Sequence, residues 1–127
     1  MTDHIQIVVN RIRTPDGTIL QSYNRHDYVT YVDKNGKEYM VDGGNDYLRR
    51  NVHDDAPAEE LSLTMNDPFD QIRESFCWGT RGVAGDEPLK WVPIKDLTSD
   101  HIEAILDNGY GADWVRTLMS KELEFRK

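Results

Sequence analysis

Cysteine is nearly missing from this chain: Cys77 stands alone, so no internal disulfide can form and any stability has to come from a packed core. A lone thiol suits a reducing compartment. No stretch approaches the roughly 20 consecutive apolar residues of a membrane span, and the opening MTDHIQIVVN has neither the basic region nor the apolar stretch of a secretory leader. Walker-type loops and G-x-G-x-x-G turns are absent too, which removes the ordinary phosphate-cradling clefts. Ser22, Ser62, Ser75, Ser99 and Ser120 have no elbow-like glycine context, and Cys77 between Phe76 and Trp78 reads as a packing thiol in a strand. Nucleophilic catalysis is therefore poorly supported. Basic residues are outnumbered, 15 against 23 acidic ones, for a net charge of -8. Such a molecule repels nucleic acid backbones and anionic membranes. A small anionic ligand remains compatible, because a few local donors hold it.

What is present describes an α+β protein. With 127 residues the expectation is a single domain, 1–127, burying roughly two-thirds of its unfolded surface, mainly β over 1–95 and helical over 96–127. His4 to Arg13 alternates around Ile5, Ile7, Val9 and Arg11, the period of a strand with one buried face. Thr14-Pro15-Asp16-Gly17 turns the chain into a second strand, Thr18 to Tyr23. Tyr28 to Val32 and Lys37 to Val41 form a hairpin around Asp33-Lys34-Asn35-Gly36, and the four strands together predict an antiparallel meander. Val52 to Glu60 reads as an acidic loop, Leu61 to Met65 as a short strand, and Asn66 to Ser75 as a helical turn with Asp67 as cap and Pro68 at its first position. Phe76 to Thr80 and Leu89 to Val92 are strands flanking the glycine loop Arg81 to Glu87. Thr98 caps a helix carrying Ile102, Ile105 and Leu106 that stops at Asn108-Gly109. A last helix from about Ala112 gathers Trp114, Val115, Leu118, Met119 and Leu123 on one side, with Glu122, Glu124, Arg126 and Lys127 elsewhere.

The chemistry the sequence offers is arginine near aromatics. Nine of the 15 basic residues are Arg, and Arg25, Arg49, Arg50, Arg81 and Arg116 fall at turns, strand ends or beside Trp78 and Trp114. Guanidinium grips phosphate with two parallel hydrogen bonds, and indole offers a stacking surface for a base. The candidate ligand-binding set is Arg25, His26, Arg49, Arg50, Trp78, Arg81, Trp114 and Arg116. Each has an ordinary structural use beside it: arginines pair with surface acids, tryptophans fill cores, and His26-Asp27 orders a turn. A metal site drawn from His26-Asp27, Asp42, Asp46 and His53-Asp54-Asp55 matches no ligand spacing, and carboxylates in turns usually cap them. No metal or cofactor is expected.

RHDY (Arg25 to Tyr28), VDGG-N-DYLRR (Val41 to Arg50), WGT-x-G (Trp78 to Gly82), PL-x-WVP (Pro88 to Pro93), DHIEAIL (Asp100 to Leu106) and the closing W-x-R…ELEFR segment (Trp114 to Arg126) carry a resemblance over nearly the whole chain. Together they resemble a family of small proteins encoded by tailed bacteriophages. Short members look like zinc ribbons with a cysteine pair before RHDY and another in the hairpin; here Arg11 to Asp16 and Tyr31 to Lys34 occupy those places, so the resemblance implies a lost metal. It also implies the cytoplasm of an infected bacterium. In size and architecture the chain is further similar to Thoeris anti-defence sponges, which hold cyclic ADP-ribose-type signals or cyclic oligonucleotides between protomers. That similarity implies a homo-oligomer binding a small anionic nucleotide without turnover. Two other functions stay open. One is inhibition of a host protein through an acidic face including Asp54-Asp55, Glu59-Glu60, Asp67 and Asp70; the other is metal-dependent hydrolysis of nucleotide signals.

Overall fold

A computed structural model describes residues 5–51, 53–82 and 84–127. His4, Val52 and Val83, named in the segments above, lie outside them. The architecture is α+β, with antiparallel strands throughout the amino-terminal part and helices at the carboxyl end. The chain falls into two compact units, one up to Pro68 and the other from Phe69 onward. The second unit takes the hairpin at residues 77–93 together with the helices.

In the first unit β1 (Ile7–Arg13) is the central strand. On one edge it pairs antiparallel with β2 (Ile19–Ser22), Asn10 opposite Ser22 and Arg13 opposite Ile19. Its other edge is taken by β5 (Glu59–Glu60) near Ile12 and by β6 (Leu63–Thr64) near Ile7. The hairpin β3 (Val29–Val32) and β4 (Glu38–Val41) is a separate ladder, with Tyr31 opposite Tyr39. The expected four-stranded meander is thus replaced by two ladders. In the connection between β2 and β3, backbone groups at Tyr23 and Asp27 bond to side chains instead of to a partner strand. The Asp27 carboxylate accepts from Tyr23 N at 2.9 Å and Ser22 Oγ donates to the Asp27 carbonyl at 2.7 Å. Glu59 and Glu60, expected in a loop, are drawn into the sheet at the vacant edge of β1.

The buried face of β1 also differs from the expected alternation. Val8, Asn10 and Ile12 are buried and Ile5 is 46% exposed, while a register irregularity between Ile7 and Val9 buries Val9 as well. Ile12, Leu20, Tyr39 and Val41 form the core of this unit, with Val29, Tyr31 and Ala58 packed against it. Two further devices fix its loops. Asn10 Nδ2 donates to the carbonyls of Asp42, Gly44 and Tyr47 at 2.9, 3.0 and 3.2 Å, pinning the double-glycine corner from inside. Asp16 accepts from Thr14 Oγ1 and from Thr18 N within its own turn, and from Tyr31 Oη and Lys34 N of the other hairpin. Hydrogen bonds from Thr14 first and Tyr31 next hold its carboxyl far below the usual carboxylate range. The Thr14 to Gly17 turn and the Asp33 to Gly36 turn are therefore clasped by one carboxylate.

The second unit begins with α1 (Phe69–Ser75) and the hairpin β7 (Cys77–Thr80) and β8 (Lys90–Pro93). Register sets Trp78 opposite Val92 and Thr80 opposite Lys90. A 3-10 turn (Ile94–Asp96) leads to α2 (Ser99–Asp107) and α3 (Asp113–Phe125). Thr98 caps α2 as expected, its Oγ1 accepting from His101 N at 3.1 Å. Asp67, by contrast, spends its carboxylate on Thr64 N at 2.7 Å rather than on α1. Ile72, Phe76, Ile94, Ile102, Ile105, Leu118 and Met119 are buried in this unit. So is Glu122, expected away from the apolar side although it follows Leu118 and Met119 by four and three residues on the same helix face.

Candidate functional site

The eight candidate residues divide four and four between the units. Arg25, His26, Arg49 and Arg50 belong to the first and Trp78, Arg81, Trp114 and Arg116 to the second. Three of the first-unit arginines face carboxylates: Arg25 lies 3.5 Å from Asp46, Arg49 3.7 Å from Asp42, and Arg50 2.8 Å from Glu60. Arg50 also reaches Ser62 at 3.2 Å. His26 is exposed in the turn, its backbone N–H bound to Asn24 Oδ1 at 2.9 Å. Among the described residues no group of three His, Cys, Asp or Glu side chains is placed to hold a metal ion.

In the second unit Trp114 packs edge-on against Phe76, ring centroids 5.5 Å apart. Arg116 closes the end of α2, donating to the carbonyls of Leu106 and Tyr110 at 2.9 and 3.4 Å. Trp78 and Arg81 do something different. They line a groove of about 1080 Å³ between the β7–β8 hairpin and α2. Strand periodicity explains the hairpin wall: Trp78 and Thr80 share a face, and their cross-strand partners Val92 and Lys90 share it with them. Helix periodicity explains the other, where His101, Ala104, Ile105 and Asn108 follow at three- and four-residue spacing. Asp96, Leu97 and Asp100 continue that wall, and Leu89 and Tyr110, 48% and 59% exposed, stand at the groove's apolar margin.

The groove's two cations on the hairpin wall, Arg81 and Lys90, are exposed. Among the described residues neither Arg81 nor Lys90 has a carboxylate within ion-pair distance, whereas Arg13, Lys37, Arg73, Lys95 and Arg126 each have one. The hydroxyls already have structural duties: Thr80 Oγ1 accepts from Gly82 N and Thr98 Oγ1 from His101 N. Gly79 belongs to this geometry as well, since a Cβ there would stand 3.0 Å from the Trp91 ring and 3.3 Å from Leu89. Sequence reasoning singled out Trp78 and Arg81 but missed Lys90, Asp100 and His101. The DHIEAIL helix held two of these, and the Thr80–Lys90 register that brings in the third needs the pairing itself.

The acidic residues considered for a protein-binding face are largely engaged. Asp55 is paired with Lys37 at 3.0 Å, Glu59 with Arg13 at 2.9 Å and Glu60 with Arg50. Asp70 Oδ1 accepts from Gln71 N at 3.1 Å.

Fold and groove together define an α+β protein of two compact units with an amphipathic, charged groove in the second. No family model, no curated protein and no solved structure matches the chain. No helix among the described residues is long and apolar enough to cross a membrane.

Proposed function

We propose that the groove of the second unit binds a small anionic nucleotide without turning it over. In this reading the chain is a phage anti-defence protein that sequesters a cyclic nucleotide immune signal, of cyclic ADP-ribose type or a cyclic oligonucleotide, in the host cytoplasm. One observation carries it: a half-buried indole, Trp78, lines the same groove as two cations, Arg81 and Lys90, that have no carboxylate within ion-pair distance among the described residues. Indole supplies the stacking face and the cations supply charge-assisted hydrogen bonds to phosphate. A volume of about 1080 Å³ is at the upper end of small-ligand pockets. The exposed margin at Leu89 and Tyr110 supports closure by a second copy, so the reading includes a homo-oligomer.

Calorimetric titration with cyclic ADP-ribose isomers and cyclic di- and trinucleotides tests this, with oligomeric mass fixed by light scattering. The expected result is binding with the ligand recovered intact, reduced at least tenfold in Arg81→Ala, the loss of one charge-assisted contact. Silence from the whole panel overturns the reading and directs the search to a host protein. Metal-dependent loss of the titrated nucleotide would favour hydrolysis instead.

A further inference from the structure

The groove is electrically two-sided. On the hairpin wall stand Arg81 and Lys90, with Glu87 folded back over Gly82, where an added Cβ would meet its carboxylate. Asp96 and Asp100 line the opposite wall, the first at the 3-10 turn and the second in the first turn of α2, and His101 lines the groove as well. Lys95 lies 3.4 Å from Asp96 and so occupies that carboxylate. Asp100 is exposed and has no ion-pair partner among the described residues, and no ion pair spans the groove to Arg81 or Lys90. Opposite charges thus line one cavity with room left between them.

A carboxylate only accepts hydrogen bonds, so the ligand group that meets Asp100 has to donate them. A phosphate cannot do so. The adjacent hydroxyls of a ribose can, and they meet a carboxylate in the same way at dinucleotide-binding folds. Resting on the nucleotide reading above, we infer that the groove selects a ribonucleotide with a free 2′,3′-diol, its phosphate on Arg81 and Lys90, its base on Trp78 and its diol on Asp100. Anions without donors are disfavoured, because their second charge falls against Asp100. Ligands whose ribose hydroxyls are consumed by cyclisation lose the helix-wall contact.

The test titrates the full-length protein with adenosine 5′-monophosphate and with its 2′,3′-dideoxy counterpart, in wild type, Asp100→Asn, Asp100→Ala and Arg81→Ala. The wild type is expected to prefer the diol at least tenfold. Both Asp100 variants should lose that preference while binding the dideoxy form at least as well as wild type does, since the opposing charge is gone, and Arg81→Ala should weaken both nucleotides alike. Asp100 is exposed, so unchanged melting temperatures are expected to separate lost recognition from lost fold. Equal affinity for the two nucleotides, or failure of adenosine 5′-monophosphate to bind at all, overturns the inference. If the cyclic panel still binds in either case, the broader reading stands without it. If that panel is silent too, both fall.

Discussion

Glu122 is the one charged side chain among the described residues with no exposed surface. Burial alone would raise its carboxyl, yet hydrogen bonds from Arg73 and Arg126 outweigh that and the net displacement is downward. Arg73 grips it at 2.7 and 2.8 Å and Arg126 at 2.7 Å, while Arg126 also donates to the Ile94 and Leu97 carbonyls. One carboxylate thus ties α1, α3 and the segment before α2. Glu122→Gln leaves two guanidiniums without a counter-charge, and a loss of about 3 kcal/mol is expected in denaturant melts. The pH sign follows from the lowered folded-state value. The stabilisation is complete well above the ordinary 4.5, and it is lost as pH falls through the folded value. Wild type should therefore melt at lower temperature as pH drops below about 4.5, and the variant should show a shallower decline. The place of Glu122 was legible in part, since it follows Leu118 and Met119 by four and three residues and precedes Arg126 by four, but Arg73 stands 49 residues away and no local pattern pairs it with Glu122.

At the scale of elements, turns and caps were readable because their chemistry is local. The Thr98 cap, the Asn108-Gly109 stop and the Asp33 to Gly36 hairpin turn all lie where neighbouring residues demand them. The Asp42-Gly43-Gly44 corner is held from inside by Asn10, more than 30 residues earlier, which no local pattern states. Gly44 has φ +53° there, and a Cβ would meet the Asn24 carbonyl carbon at 2.2 Å. Gly85 has φ +76° with open space around it. Gly44→Ala is expected to cost well over 2 kcal/mol, from steric overlap added to a left-handed backbone, and Gly85→Ala about 1 kcal/mol from the backbone alone. Paired thermal melts measure the difference; equal losses would mean that the corner is not held against the β2–β3 connection. Pairings between elements were the less legible part. The fate of Glu59 and Glu60 depended on which edge of β1 stayed open, and no local pattern around them states that. Likewise the groove's hairpin wall requires the β7–β8 register, so Trp78 and Arg81 were visible in advance and Lys90 was not.

Across the whole molecule, the net charge of -8 sets the response to polyanions. Nine of the 15 basic side chains are already paired with carboxylates among the described residues, which weakens the attraction to a duplex further. A mobility-shift assay at 50 to 200 mM salt, a range over which counterion release weakens binding steeply, is expected to show no duplex DNA shift at any point. A shift that fades with salt would contradict the charge argument. The central position of β1 has a consequence in time rather than in space. One of its edges closes by a short hairpin, but the other waits for a strand that begins 46 residues later, Arg13 meeting Glu59. Loop-closure entropy is spent before that second ladder returns anything. The strand made first is therefore completed late, and until Glu59 to Thr64 have emerged it presents an open edge to whatever other chains are near.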